Sequence, residues 1–286
     1  MYQTIKYEVH GHTATITLNR PDALNALSPH MITELRAAYQ QAEDDDTVWL
    51  MIVTATGRAF CTGADVKEIP GDGKVINERP YLSTYEQWEA PQEGTPPFRS
   101  MTKPVIVAVN GICCGAALDW VTTGDIVIAS DRATFFDPHV SIGLVAAREM
   151  VRLAKALPRS VALRMALMGK HERMTVQRAY DLGLITEIVE HSQLLERAHE
   201  IADTVNLNAP LAVRGTRLAI HKTLDMPLHE GEILAETFRE RVTRTEDALE
   251  GPRAFVEKRT PNWQARQPWT PSCSTSTTTA GSPPSP

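Results

Sequence analysis

Residues Thr13-Ala14-Thr15-Ile16-Thr17-Leu18 alternate polar and apolar side chains, the period of a strand with one face in a core and the other exposed. Ile5 to Val9 is expected to pair with it through a turn at Gly11. Trp49-Leu50-Met51-Ile52-Val53, Val105-Ile106-Val107-Ala108-Val109 and Ile126-Val127-Ile128-Ala129 are instead short, continuous apolar runs, as in strands buried on both faces. Between them the period lengthens. Ser28 caps a helix that has Pro29 at its first position and Met31, Ile32, Leu35 and Ala38 on one face. Strands alternating with helices predict an α/β core. Beyond about residue 160 the strand signal fades, and helices are predicted over 176–182 (ended by Gly183), 192–205, 211–223 and 231–249. Residues 70–97 interrupt the pattern. They are rich in Gly, Pro and Glu but carry Tyr81, Tyr85 and Trp88, which predicts a lid over a pocket rather than a linker. Residues 264–286 change character again: from Pro271 onward they have no charge and little to bury, so disorder is expected.

Composition narrows the class. The 286 residues suit one large or two modest domains, and no fixed-period repeat divides them. With 29 basic against 35 acidic residues the net charge is −6, which argues against a nucleic-acid or polybasic membrane role. The apolar run from Val48 to Val53 is far shorter than the ~18 residues of a spanning helix, so no membrane segment is expected. Met1 to Tyr7 has neither a signal-peptide core nor the Arg-rich character of a transit peptide, and a cytoplasmic location is expected. Cys113 and Cys114 are adjacent and make a poor disulfide framework; reduced thiols are predicted. Cys113, Cys114 and His139 lack the paired spacing of a metal site, so no metal is assigned.

Two small-residue segments carry the candidate chemistry. Gly57-Arg58-Ala59-Phe60-Cys61-Thr62-Gly63-Ala64-Asp65-Val66-Lys67-Glu68-Ile69 follows one buried strand, and Asn110-Gly111-Ile112-Cys113-Cys114-Gly115-Ala116-Ala117-Leu118-Asp119-Trp120 follows another and runs into a helix start. Small side chains let a ligand approach backbone amides, and a helix N-terminus offers unpaired N–H donors. Either segment alone also reads as a tight turn whose small residues permit packing. Together they offer two donors to one oxyanion.

With these segments stand Leu18-Asn19-Arg20-Pro21-Asp22-Ala23-Leu24-Asn25-Ala26-Leu27, the stretch from Met174 to Val189, and Gly251-Pro252-Arg253-Ala254-Phe255-Val256-Glu257-Lys258-Arg259. Taken in chain order the five motifs resemble the crotonase (enoyl-CoA hydratase/isomerase) superfamily over about residues 5–262. The resemblance implies a crotonase-like spiral of ββα turns over residues 1–200, a C-terminal helical trimerisation region over 201–263, and a tail over 264–286. It implies homotrimers or homohexamers and an acyl-CoA substrate, with no separate cofactor. Carried over by position, oxyanion-hole amides fall on Ala64 and Ala116, and coenzyme A contacts on Asp22, Ala23, Leu24, Asp65, Val66, Phe255 and Lys258. Ala116 stands where the family has glycine, which requires a negative φ there.

The acid/base positions depart from the family. Where its hydratases carry two glutamates twenty residues apart, this chain has Asp119 and His139, the latter in Phe135-Phe136-Asp137-Pro138-His139. Asp119 is shorter than glutamate by a methylene, and an imidazole exchanges protons near neutrality more readily than an unperturbed carboxylate. The two are expected to form a hydrogen-bonded Asp–His pair, the carboxylate orienting the ring. The family's Pro-Gly-rich loop is replaced by Gly143-Leu144-Val145-Ala146-Ala147-Arg148-Glu149, read as a shortened segment whose Arg148 and Glu149 are expected as a solvated helix start, contact with a polar acyl substrate being the alternative. Hydration or double-bond isomerisation of an enoyl-CoA is the leading expectation. Hydrolysis of a carbon–carbon bond in a β-dicarbonyl or cyclic CoA substrate, and a CoA-binding protein without catalysis, are the alternatives.

Overall fold

The computed structural model describes residues 2–65 and 101–266. Val66, the aromatic-bearing segment 70–97 and the stretch 267–286 lie outside the described residues. Two sheets are built turn by turn. The chain places β3 (Leu50–Ala55), β5 (Val105–Val109) and β7 (Ile126–Ser130) side by side in one sheet, and each is followed within a few residues by β4 (Ala59–Cys61), β6 (Ile112–Cys114) or β8 (Thr134–Phe136) in the other. This repeated strand–strand step is the spiral. The six-stranded sheet has the order β1-β2-β3-β5-β7-β10, with β1 (Ile5–His10) antiparallel to β2 (Thr13–Leu18) and the remaining pairs parallel. In the four-stranded sheet β4, β6 and β8 are parallel, and β9 (Met174–Thr175) closes it antiparallel to β8.

The predicted hairpin forms around Gly11, whose φ of +56° suits glycine. All six residues of β2 are buried, so the alternating pattern does not expose one face as expected. The threonine face is covered as well: Thr13 Oγ1 accepts from Asn206 Nδ2 at 3.0 Å, at the end of a helix laid across the sheet. The continuous apolar strands β3 and β5 are buried, as predicted.

Helix α1 (Pro29–Asp44) starts where the sequence places it, with Ser28 Oγ accepting from Met31 N at 3.1 Å. It ends on a buried cation. Lys103 Nζ donates to the carbonyls of Ala42 and Asp45, both at 2.7 Å, satisfying helix-end acceptors that burial would otherwise leave unmade. Tyr39 on α1 receives a hydrogen bond from Trp120 Nε1 at 2.9 Å, which locks α1 against α2 (Leu118–Thr123).

Helices α3 (Arg148–Ala156), α4 (Arg159–Met168) and α5 (Val176–Asp181) follow, then β10 (Glu187–Val189), α6 (Leu194–Asn206), α7 (Pro210–Thr223), α8 (Leu228–Thr243) and α9 (Glu246–Glu257). The faded strand signal hid β9 and β10, which have only two and three residues. The single helix expected over 231–249 is two. Thr245 takes an extended conformation and its Oγ1 accepts from Ala248 N, so it caps a new helix rather than continuing the old one. Cys61, Cys113 and Cys114 are free, buried thiols.

Candidate active site

Three segments predicted to carry chemistry meet in space. Leu27 and Ala64 form a parallel bridge in which Leu27 N donates to Gly63 O at 2.8 Å and Asp65 N donates to Leu27 O at 3.0 Å. Successive amides in extended chain point to opposite sides, so the N–H of Ala64 faces away from Leu27. Across from it stands the β6–α2 junction. A Cβ placed on Gly63 would lie 3.2 Å from Cys114 O and 3.3 Å from Ala116 N, so the two glycine turns are in backbone contact. Gly63 (φ +81°) and Gly115 (φ +59°) take the left-handed conformations, and Ala116 does not. Ala116 is the second residue of the 3-10 turn Gly115–Ala117, where the first amides have no acceptor inside the turn.

The neighbouring strand-end segment is held by residues that the sequence reading did not select. Leu24 and Asn25 both have positive φ, 52° and 54°, which side-chain-bearing residues rarely adopt. Fully buried Asn25 holds that backbone in place: its Nδ2 donates to Thr56 O and Ala59 O, both at 2.8 Å, and its Oδ1 accepts from Arg20 N at 2.8 Å. Arg20 in turn donates to Ala26 O at 2.7 Å and to Asp65 Oδ2 at 3.0 Å. Asp22, Ala23 and Leu24 are thus tied to Asp65 and Ala64 as one rigid edge. Phe255 and Lys258 are not brought to it within the chain. Phe255 is 86% exposed on α9, and Lys258 ends that helix in a left-handed conformation.

The expected Asp119–His139 pair does not form; each side chain has another partner. His139 Nδ1 lies 2.9 and 3.0 Å from the two carboxylate oxygens of Asp137, and His139 N donates to Asp137 Oδ1 at 2.9 Å. Asp137 is fully buried and His139 half-buried. The physical reason is local: the Asp-Pro turn folds the carboxylate back onto the residue two positions ahead, and an imidazole so close takes it first. That hydrogen bond raises the His139 pKa above the ordinary histidine value, with burial opposing it and the charges of Asp137 and Glu149 adding to it. The ring also borders the amide turns. His139 Cε1 is 3.7 Å from the position a Cβ on Gly115 would take.

Asp119, fully buried in the first turn of α2, is ion-paired with Arg152, whose Nη1 lies 2.5 Å from its Oδ1. Burial raises its pKa and Arg152 opposes the rise. Glu149, expected in solvent, is buried. Helix α3 does begin at Arg148, but Glu149 and Arg152 are three residues apart and share the face that packs on α2. Among the described residues no group of three or more His, Cys, Asp or Glu is placed to hold a metal, and no helix is long and apolar enough to cross a membrane.

A model of the enoyl-CoA hydratase/isomerase family matches residues 8–266. The chain belongs to that family. It is 35% identical over 256 residues to a mevalonyl-coenzyme A hydratase of Aspergillus fumigatus, covering 88% of this chain and 92% of that one. It is 33% identical over 261 residues to an (E)-benzylidenesuccinyl-CoA hydratase of Thauera aromatica, covering 90% and 97%. The crystal structure of an enoyl-CoA hydratase/isomerase from Mycobacterium paratuberculosis superposes with a TM-score of 0.87 at 82% identity, over 93% of this chain and all of that one. The protein is an acyl-CoA-processing enzyme with the crotonase fold.

Proposed function

We propose that the enzyme hydrates a 2-enoyl-CoA, with the thioester oxygen held between the amides of Ala64 and Ala116 and His139 exchanging the proton. The observation that carries this reading is the backbone contact of the Gly63 and Gly115 turns, with the His139 ring against Gly115. A thioester carbonyl placed there gains negative charge as water adds to the β-carbon, and each amide aimed at it contributes on the order of 3 kcal/mol of transition-state stabilisation. Water gives a proton to His139 as its oxygen bonds the β-carbon, and the α-carbon of the enolate takes a proton to give a 3-hydroxyacyl-CoA. The edge formed by Asp22, Ala23, Leu24 and Asp65 binds the coenzyme A moiety, chiefly through backbone, and the family resemblance adds Val66 as a further contact. Phe255 and Lys258 reach the nucleotide of a neighbouring subunit in a homotrimer or a hexamer of two trimers. The exposed apolar side chains Ile220, Leu224, Leu228, Leu249 and Val256 on and between α7, α8 and α9 are consistent with such an assembly, with residues 201–263 as its oligomerisation region.

Incubation with crotonyl-CoA, a longer or cyclic enoyl-CoA and a cyclic β-diketone, with products identified by mass and chromatography, tests the reading. A gain of one water on an enoyl-CoA, reversed from the 3-hydroxyacyl-CoA side, is expected. An isomer of unchanged mass would make the enzyme an isomerase, and ring opening of the diketone a carbon–carbon hydrolase. No turnover with intact CoA-thioester binding would leave a binding protein.

A further inference from the structure

We propose that Asp137 is the positioning residue of His139, so that the proton-exchanging unit of this site is an Asp137–His139 dyad built within a single turn. The inference rests on the reading that His139 exchanges the substrate's protons. Its geometry is independent of that reading. Asp137 offers only acceptors to Nδ1, at 2.9 and 3.0 Å, so Nδ1 carries the hydrogen of the neutral ring and Nε2 is left bare. The same carboxylate accepts the His139 amide at 2.9 Å, which holds side chain and backbone together. Asp137 is fully buried at the end of β8, and Pro138 stiffens the link between the two residues. An imidazole so held faces Gly115 and needs no reorientation before taking a proton.

Asp137 and Glu149 act on the charge of His139. Asp137 also acts on the Cys114 thiol, and exposed Arg173 opposes it there. Lys170 and His171, on the turn packed against 139–142, are exposed. In the proposed step the water O–H breaks, Nε2 takes the proton, the oxygen bonds the β-carbon, and the C=C electron pair moves into the thioester enolate. The imidazolium, stabilised by Asp137, then returns the proton to the α-carbon. No electrons are gained or lost overall, and no co-reactant besides water is required.

The test compares Asp137→Asn, Asp137→Ala and His139→Ala on the enoyl-CoA that the wild type turns over fastest. Asparagine keeps an oxygen for the His139 amide but places an N–H₂ against Nδ1, favouring the wrong tautomer. It should lower kcat by on the order of 10²–10⁴-fold while leaving CoA-thioester affinity within about threefold. Asp137→Ala should move the acid limb of the pH profile to lower pH, because the bond that raises the His139 pKa is gone. Full activity in His139→Ala would overturn the reading beneath the proposal. Loss in His139→Ala with unchanged kcat and pH limb in both Asp137 variants would overturn the proposal alone. Nitrogen-15 NMR of the wild type supplies a readout that needs no variant to fold: protonated Nδ1 and bare Nε2 in neutral His139 are expected, and the opposite tautomer would refute the dyad.

Discussion

Arg152 stands 2.5 Å from the carboxylate of Asp119, so this buried aspartate pairs with a guanidinium and not with the His139 imidazole. The aspartate has no exposed surface, and about a fifth of the arginine side chain reaches solvent. Removing Arg152 leaves a buried charge unpaired. Arg152→Ala should cost about 2–3 kcal/mol, below the range for a fully buried pair because of that exposure. Adding Asp119→Asn should recover a large part of the loss. Urea denaturation of the two single variants and the double variant checks this, and additive losses would contradict it.

The pH dependence of stability offers a separate check on Asp119. Its pKa is raised in the folded protein, chiefly by burial, so the native state holds a proton that the unfolded chain releases near pH 4. Stability therefore falls as pH rises from there to the folded pKa, and the contribution is lost above it. Asp119→Asn should remove that slope. A stability difference between wild type and variant that does not change across this window would mean that Asp119 has its ordinary pKa.

Gly63→Ala should separate the two amide turns. A methyl there would meet Cys114 O at 3.2 Å and Ala116 N at 3.3 Å, on a residue whose φ of +81° already disfavours a side chain. Turnover should fall on the order of 10²-fold, as when one oxyanion donor is lost, with a much smaller change in CoA-thioester affinity. Steady-state kinetics with separately measured binding decides. Equal loss in both would place the effect in ground-state binding.

Asp125 joins the core to the C-terminal helices. Its Oδ2 accepts from Val105 N and Arg217 Nε, both at 2.7 Å, and its Oδ1 is 2.6 Å from His221 Nε2. Arg217 is buried on α7 and also donates to Met101 O. Arg217→Met should destabilise the protein by about 1–3 kcal/mol, since it removes a charged partner from a mostly buried carboxylate that keeps only Val105 N and His221. Thermal unfolding should show a lower midpoint. An unchanged midpoint would mean that α7 is held by its apolar contacts alone.

Patterning of apolar residues revealed β1, β2, β3, β5, β7 and α1 because each runs five residues or more, though the alternation of β2 did not foretell that both its faces are covered, and a cap or a turn glycine marks several of their ends. It failed for β9 and β10, which are too short to show a period. At Thr245 a cap followed by Glu246 and Asp247 was available as a helix start and was passed over. At the site, the small residues at 63–64 and 115–116 stand where two backbones touch, which is where glycine is needed. The partners of Asp119 and His139 were not legible from their twenty-residue spacing. Which carboxylate reaches the imidazole depends on a two-residue turn through Pro138, and which cation reaches Asp119 depends on how α3 docks on α2. Asp-Pro before His139 was the overlooked signal; Arg152 had none until Glu149 proved to be buried.

In the proposed reaction the amides of Ala64 and Ala116 polarise one thioester carbonyl. Infrared difference spectroscopy of a bound, carbon-13-labelled enoyl-CoA or unreactive thioester analogue measures that polarisation directly at the carbonyl stretch. A shift to lower frequency than in water, largely lost in Gly63→Ala, is the predicted result. A bound carbonyl that absorbs at its solution frequency in both proteins would contradict that role for the two amides.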